Sequence, residues 1–432
     1  MDRDSVQSII DFIEENLKSE ITADELAEMS GYSMFHFYRI FQNAVGMPIM
    51  QYILRRRLLY AICEIGSGRK QIDVALEYGF DTYPGFYKSF VRELGYTPTE
   101  YLKQYKAKKP YRIVLSQEEH IMLSHKKITE LLANWGMEKE KVSDVVFKET
   151  GEISDTAKYV GDGYVIKYTN NLANVVKAIN ISKALDNVGL SSATVVPTKD
   201  GKEYVECGEL YVFLSTRVAG EGFLASKVYL DEYEKKARFI GEIVGQLDLA
   251  LAKIDVPVKV TDTYSAVCDW ALPILKDKME LSQGFVEEYT KAFEGLYKAI
   301  PRQIIHRDPN PSNIIVSGEK WGFIDFELSE ENVRIFDPCY AATAILSETF
   351  EEGNEEKMNR WVSVLQQIMY GYDSVVRLSD EEKKAIPYII LANQFVATAW
   401  FAGMEKYQNL YKTNVKMTEW IIRNFSKMQL EF

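Results

Sequence analysis

A chain of 432 residues is too long for one small core, and a prior of about 100–200 residues per domain divides it into two to four units. Its 47% hydrophobic and 12% aromatic content supplies ample core material, and no low-complexity stretch argues for a disordered tail. The net charge of −12 is uneven: residues through Pro110 hold 14 basic and 15 acidic side chains of totals of 51 and 63, so the acidic excess belongs to the later part.

The first hundred residues repeat themselves. Phe41, Gly46 and Tyr52 are echoed at the same spacing by Phe90, Gly95 and Tyr101, and upstream Leu26-Ala27 before Gly31 is echoed by Val74-Ala75 before Gly79. A helix with a small residue, a glycine turn and a second helix is the helix-turn-helix plan, here twice. Phe37, Phe41, Phe86 and Phe90 fall on the core face of the second helices, which turns Met34, Phe35, His36 and Arg39, and Thr82, Tyr83, Tyr87 and Lys88, outward. Ile49 to Ile65 reads as a long connecting helix with an Arg55-Arg56-Arg57 run, part of which could reach phosphates.

With Gly31-Tyr-Ser33, Arg57-Leu58, Gly79-Phe80 and Gly95-Tyr-Thr-Pro98 added, residues 1–107 resemble the AraC-type DNA-binding domain over its whole length. The resemblance implies an all-α domain binding double-stranded DNA, with recognition helices in major-groove faces about 34 Å apart. It assigns DNA contacts to Ser33, Met34, His36, Arg39, Thr82, Tyr83, Tyr87 and Lys88. Pro84-Gly85 is a departure, since proline suits a first helical turn and glycine supplies no base-reading side chain.

Residues 108–125 read as a linker in which Tyr111 to Leu115 suits a short strand. Residues 126–218 then read as a small β-rich lobe with hairpin turns at Val160-Gly-Asp-Gly163 and Lys199-Asp-Gly201-Lys. Lys167 lies within an apolar strand, where a buried ammonium needs an anionic partner such as a triphosphate, while an edge lysine with its head in water accounts for the same residue. After a helix at residues 174–187 and a strand from Leu210, residues 219–432 become almost wholly helical. A small sheet lobe followed by a large helical one is expected to enclose a cleft.

The chemistry concentrates at His306-Arg-Asp308, Asn313 and Ile324-Asp325-Phe326. In-line phosphoryl transfer needs a carboxylate to orient and deprotonate the attacking hydroxyl, and hard oxygen ligands for Mg²⁺. Asp308 suits the first role, Asn313 and Asp325 the second. The order Ile305-His306-Arg-Asp308, Asn313-Ile-Ile315, Ile324-Asp-Phe-Glu327 and Asp337-Pro338 resembles the aminoglycoside phosphotransferase and choline-kinase-like family. That resemblance implies an α+β, two-lobed, protein-kinase-like fold using ATP or another nucleoside triphosphate with Mg. It gives Lys167 to the phosphates, Ser215, Thr216 and Val218 to the adenine hinge, Asp308 to catalysis, and Asn313 and Asp325 to the metal. Two departures stand out: no acid occurs between Asp162 and Asp186 to hold Lys167, and the phosphate-loop stretch from Glu149 to Thr156 has only Gly151.

Acids such as Glu327, Glu330, Glu331 and Asp337, with Trp270, Trp361 and Trp400, would suit a small hydroxylated, cationic ligand, and a solvated acidic face with core tryptophans accounts for the same residues. The scattered Cys63, Cys207, Cys268 and Cys339 read as reduced thiols. The opening residues lack a secretory pattern, and the apolar run from Ala385 to Met404 contains Pro387, Asn393, Gln394 and Thr398, so a cytoplasmic location without a membrane partner is expected. Three readings follow: a transcription regulator with a kinase-fold effector domain, an antibiotic or amino-alcohol kinase that autoregulates, and a pseudokinase sensor. Ligand, DNA site, direction of regulation and oligomeric state stay open.

Overall fold

The computed structural model describes residues 3–115, 122–147, 151–404 and 407–430. Two compact units emerge, one of residues 1–172 with 195–217, the other of residues 173–194 with 218–432.

The first unit opens with seven helices, α1 (Arg3–Glu15), α2 (Ala23–Ser30), α3 (Met34–Val45), α4 (Ile49–Gly66), α5 (Gln71–Glu77), α6 (Tyr83–Leu94) and α7 (Pro98–Gln104). The sequence repeat becomes a repeated packing unit. Phe41 meets Tyr52 at 5.6 Å between ring centroids, Phe90 meets Tyr101 at 5.7 Å, and all four rings are buried. Gly46 and Gly95 end α3 and α6 with φ of 87° and 79°, a left-handed cap that glycine adopts without a Cβ clash. Thr22 and Thr82 start α2 and α6 by accepting the backbone N–H of Glu25 and Gly85.

Beyond α8 (His125–Leu132) comes an antiparallel six-stranded sheet of β1 (Val142–Val146), β2 (Ile153–Val160), β3 (Tyr164–Thr169), β4 (Val195–Val196), β5 (Val205–Cys207) and β6 (Leu210–Thr216). Its order is β1-β2-β3-β6-β4, with β5 also on β6, and helix α9 (Leu172–Asn187) separates β3 from β4 in the chain. The turn at Val160 to Gly163 joins paired β2 and β3 as expected. The turn at Lys199 to Lys202 differs, because β4 and β5 each pair with β6. Residues 111–115 are not a strand either: Ile113 and Leu115 are buried against the helical core, and Gln7 accepts from the Leu115 N–H while donating to the Ile113 carbonyl. That side chain supplies the hydrogen bonds that a strand partner would otherwise have supplied.

In the second unit the chain runs through β7 (Glu221–Gly222), α10 (Ala225–Val228), α11 (Tyr233–Leu251), α12 (Thr263–Ser265), a π-helical turn (Ala266–Ala271), α13 (Leu272–Lys276) and α14 (Gln283–Ala299). There follow β8 (Arg302–Ile305), β9 (Ile314–Ser317), β10 (Lys320–Phe323), β11 (Glu330–Val333), α15 (Phe336–Thr349), α16 (Glu355–Val375), α17 (Asp380–Ala402) and α18 (Gln408–Arg423). Helices α11 and α16 touch backbone to backbone. A Cβ on Gly241 would stand 1.9 Å from the Ile368 carbonyl oxygen, and one on Gly371 2.0 Å from that of Arg238. Helix α17 is long and apolar enough to cross a membrane, yet most of it is buried inside the fold, where Gln394 and Thr398 bond to Asn414 and Thr418 of α18. Trp361 is core as well, fully buried and donating to the Ala342 carbonyl.

Candidate functional site

The short pairs β8–β11 and β9–β10 hold the loop from His306 to Asn313 and the turn at Asp325. Asp337, at the start of α15 and fully buried, accepts the backbone N–H of His306 at 2.7 Å and of Arg307 at 3.0 Å. His306 is buried beneath them. Its Nε2 meets the Ile324 carbonyl at 3.0 Å and its ring lies 4.8 Å from Phe326, so it ties the loop to the Asp325 turn as packing. Arg307 and Asp325 have φ of 78° and 74°, positions that cost a side-chain-bearing residue energy and persist where surrounding bonds hold them. Arg307 pairs with Glu330 at 2.9 Å and lies over Phe336.

Asp308 gathers the donors. Asn310 Nδ2 donates to its Oδ1 at 2.8 Å, and Asn313 Nδ2 donates to its Oδ2 at 3.2 Å and to its carbonyl at 2.9 Å. Both Asn313 bonds to Asp308 use the amide nitrogen. Burial pushes the Asp308 carboxyl above its ordinary range; the Asn310 amide, His306 and the Tyr340 hydroxyl oppose the rise, and Asp325 adds to it. Among the described residues no group of three acidic, His or Cys side chains gathers as a metal cluster, so the divalent-ion reading rests on the oxygens of Asn313 and Asp325.

Three residues here were not singled out by the sequence reading. Asn310 and Tyr340 hold Asp308. Asp248 of α11 lies below the loop, almost fully buried, with Tyr372 donating to its Oδ2 at 2.6 Å while its Oδ1 meets no donor. Burial and the charge of Asp337 push the Asp248 carboxyl well up. Asp337 itself is pushed up to about 6 by burial, against the pull of the His306 and Arg307 N–H groups. Helix α9 has no acid before Asp186, and instead sets Lys177 within the field of Glu330 and Glu327.

Lys167, Ser215 and Thr216 belong to the other unit. Lys167 sits on β3 opposite Phe213, half-buried, and Ser215 on β6 is buried with its hydroxyl donating to the Val165 carbonyl. The chain passes between units at Arg217 and Val218, inside the segment expected to be the hinge. Of the expected phosphate loop, Glu149 and Thr150 lie outside the described residues.

On the helical part, α3 exposes Arg39 and, most of all, Phe35, which the DNA-contact set left out. Arg39 bonds to His36, which packs on Tyr32. Ser33 caps α3 without using its hydroxyl. Met34 and Tyr83 are half-buried against the core, and Thr82 spends its hydroxyl on the α6 cap, while Tyr87 and Lys88 are exposed. Two arginines of the 55–57 run turn inward. Arg55 and Arg56 are buried on Asp144 and Glu14, carboxylates that would otherwise be buried unpaired, and half-buried Arg57 donates to the carbonyls of Leu17 and Ser19.

Residues 26–104 match the helix-turn-helix domain family. Over 97 residues the chain is 40% identical to the HTH-type transcriptional activator AarP of Providencia stuartii, covering 22% of this chain and 72% of that protein. The chain belongs to the AraC-type helix-turn-helix regulators. A second AraC-type relative, the regulatory protein SoxS of Salmonella typhimurium, is 32% identical over 97 residues, again 22% of this chain and 91% of that one. Unlike these matches, residues 168–363 match the phosphotransferase enzyme family. The fold is similar to that of a microcompartment-associated aminopropanol kinase, with TM-score 0.53 and 15% identity over 70% of this chain and 98% of that one. It is also similar to a choline/ethanolamine kinase family protein from Mesorhizobium loti, with TM-score 0.50 and 13% identity over 70% and 96%. This AraC-type regulator therefore carries a kinase-like α+β domain.

Proposed function

We propose that this chain is a cytoplasmic transcription regulator whose kinase-fold domain binds a nucleoside triphosphate with Mg²⁺ and a small hydroxylated, cationic ligand, and reports their presence to DNA. The observation that carries the reading is Asp308, held by Asn310 and Asn313 in a chain whose first hundred residues are an AraC-type reader. Asp308 would orient the ligand hydroxyl and take its proton. Asn313 and Asp325 would hold the ion, which when bound neutralises phosphate charge; Lys167 would meet the phosphates, and Ser215, Thr216 and Val218 the adenine.

A pseudokinase sensor is favoured by one specific feature, the absence of any acid on α9 before Asp186. Nucleotide binding and phosphate release across a panel of hydroxylated amines separate the readings. Transfer that Asp308→Asn abolishes supports an enzyme, binding without transfer supports a sensor, and absence of nucleotide binding refutes both.

A further inference from the structure

Strand β1 is the edge of the six-stranded sheet, and an edge normally presents unpaired backbone groups. Here the DNA-reading helices cover it. At the end of α6, a Cβ on Gly95 would stand 2.4 Å from the Val142 carbonyl oxygen and 2.5 Å from Ser143 Cα, so helix cap and strand meet at backbone distance. The next residue, Tyr96, donates its hydroxyl to the Asp144 carbonyl at 2.8 Å. Val146 of β1 belongs to the core of the helical reader.

The side chain of Asp144 is the centre of this joint. It is fully buried and accepts from Arg55 of α4 at 2.6 Å, Lys158 of β2 at 2.8 Å and His125 of α8 at 3.0 Å. Arg55 uses its other nitrogen on the carbonyl of Glu93, in the last turn of α6, at 3.1 Å. One guanidinium thus links the end of α6 to the edge strand, and its planar fork fixes direction as well as distance. Further on, the tail after α7 touches the β1–β2 turn, where the Lys106 carbonyl abuts Gly151 and Lys108 pairs with Glu152 at 2.9 Å.

We propose that the sheet of the kinase-like domain is a working part of the DNA reader: Asp144 is a positioning residue that, through Arg55 and Glu93, sets the direction of recognition helix α6. The inference rests on reading α6 as a DNA-contacting helix. Sequence discrimination in the half-site under α6 then depends on a residue about 50 positions beyond that helix in the chain, and any event that moves β1 reaches DNA through α6.

The test uses the full chain and a duplex selected by the wild type from a random library, footprinted at fixed salt with Asp144→Asn, Asp144→Glu and Tyr96→Phe. Asp144→Asn is expected to lose at least about ten-fold in affinity, with protection lost under the α6 half and retained under the α3 half, and Asp144→Glu to recover part of it. Tyr96→Phe, which keeps every charge, is expected to lose about two- to five-fold in the same half and remains informative if Asp144→Asn does not fold. Equal loss over both halves, or unchanged protection at equal folded fraction, overturns the proposal. A wild-type chain that selects no duplex overturns the DNA-contact reading itself, and the proposal with it.

Discussion

Asp248 and Asp337 share one buried space below the Asp308 loop, and two adjacent carboxylates cannot both ionise there at low cost. Asp337 needs its charge for the His306 and Arg307 N–H groups; Asp248 is the neutral partner. Asp248→Asn keeps a neutral donor of the same shape, so its stability should lie within about 1 kcal/mol of wild type in urea unfolding at pH 5. The sign of the pH dependence follows from the raised carboxyls. Below about pH 4 both folded and unfolded forms are protonated; as pH rises through about 6 the unfolded chain has released protons that the folded pair still holds, so stability falls. Asp248→Asn should therefore gain on wild type as pH rises from 5 to 8, and parallel curves would exclude the shared proton. At Asp308, substitution by Asn should lower any transfer rate by about 10²–10⁴-fold while leaving nucleotide affinity near wild type, measured by single-turnover phosphate release and by titration. Because burial raises this carboxyl, the acid limb of the pH–rate profile should lie above the ordinary carboxylate range.

At the scale of elements, close approach decides more than composition. Helices α11 and α16 meet at Gly241 and Gly371, and Gly241→Ala would force apart two backbones that touch. Overpacking of this kind costs about 2–3 kcal/mol; a thermal melt indistinguishable from wild type would refute that contact. The elements also show what a sequence can carry. The Phe-Gly-Tyr repeat was legible because one local pattern specifies a core ring, a left-handed cap and its packing partner, and the Asp308, Asn313 and Asp325 arrangement was legible because short strands fix it within twenty residues. Which arginines of the 55–57 run turn inward is not legible from the sequence, because the partners of Arg55 and Arg56, Asp144 and Glu14, are set by tertiary packing that no helical periodicity encodes. Asp248 escaped notice for the same reason: it meets Asp337 across 89 residues of chain. The strand expected at residues 111–115 failed because Gln7, far away in sequence, satisfies its backbone.

For the whole molecule, the helical reader and the six-stranded sheet form one compact unit, and the Asp308 loop belongs to the other. On the proposed sensing role, a ligand would act on DNA binding only through its differential affinity for two states of the protein, and a sheet built into the reader would carry that difference. The measurement that tests this most directly is a fluorescence-anisotropy titration of the full chain on its selected duplex, at one salt concentration, with and without saturating nucleotide, Mg²⁺ and a panel of hydroxylated amines. The expected result is that nucleotide binds and that nucleotide with its ligand changes duplex affinity about 5–150-fold, the usual span of allosteric coupling. Nucleotide binding with an unchanged duplex affinity across the panel would contradict a sensing role, and no nucleotide binding at all would contradict the effector reading as a whole.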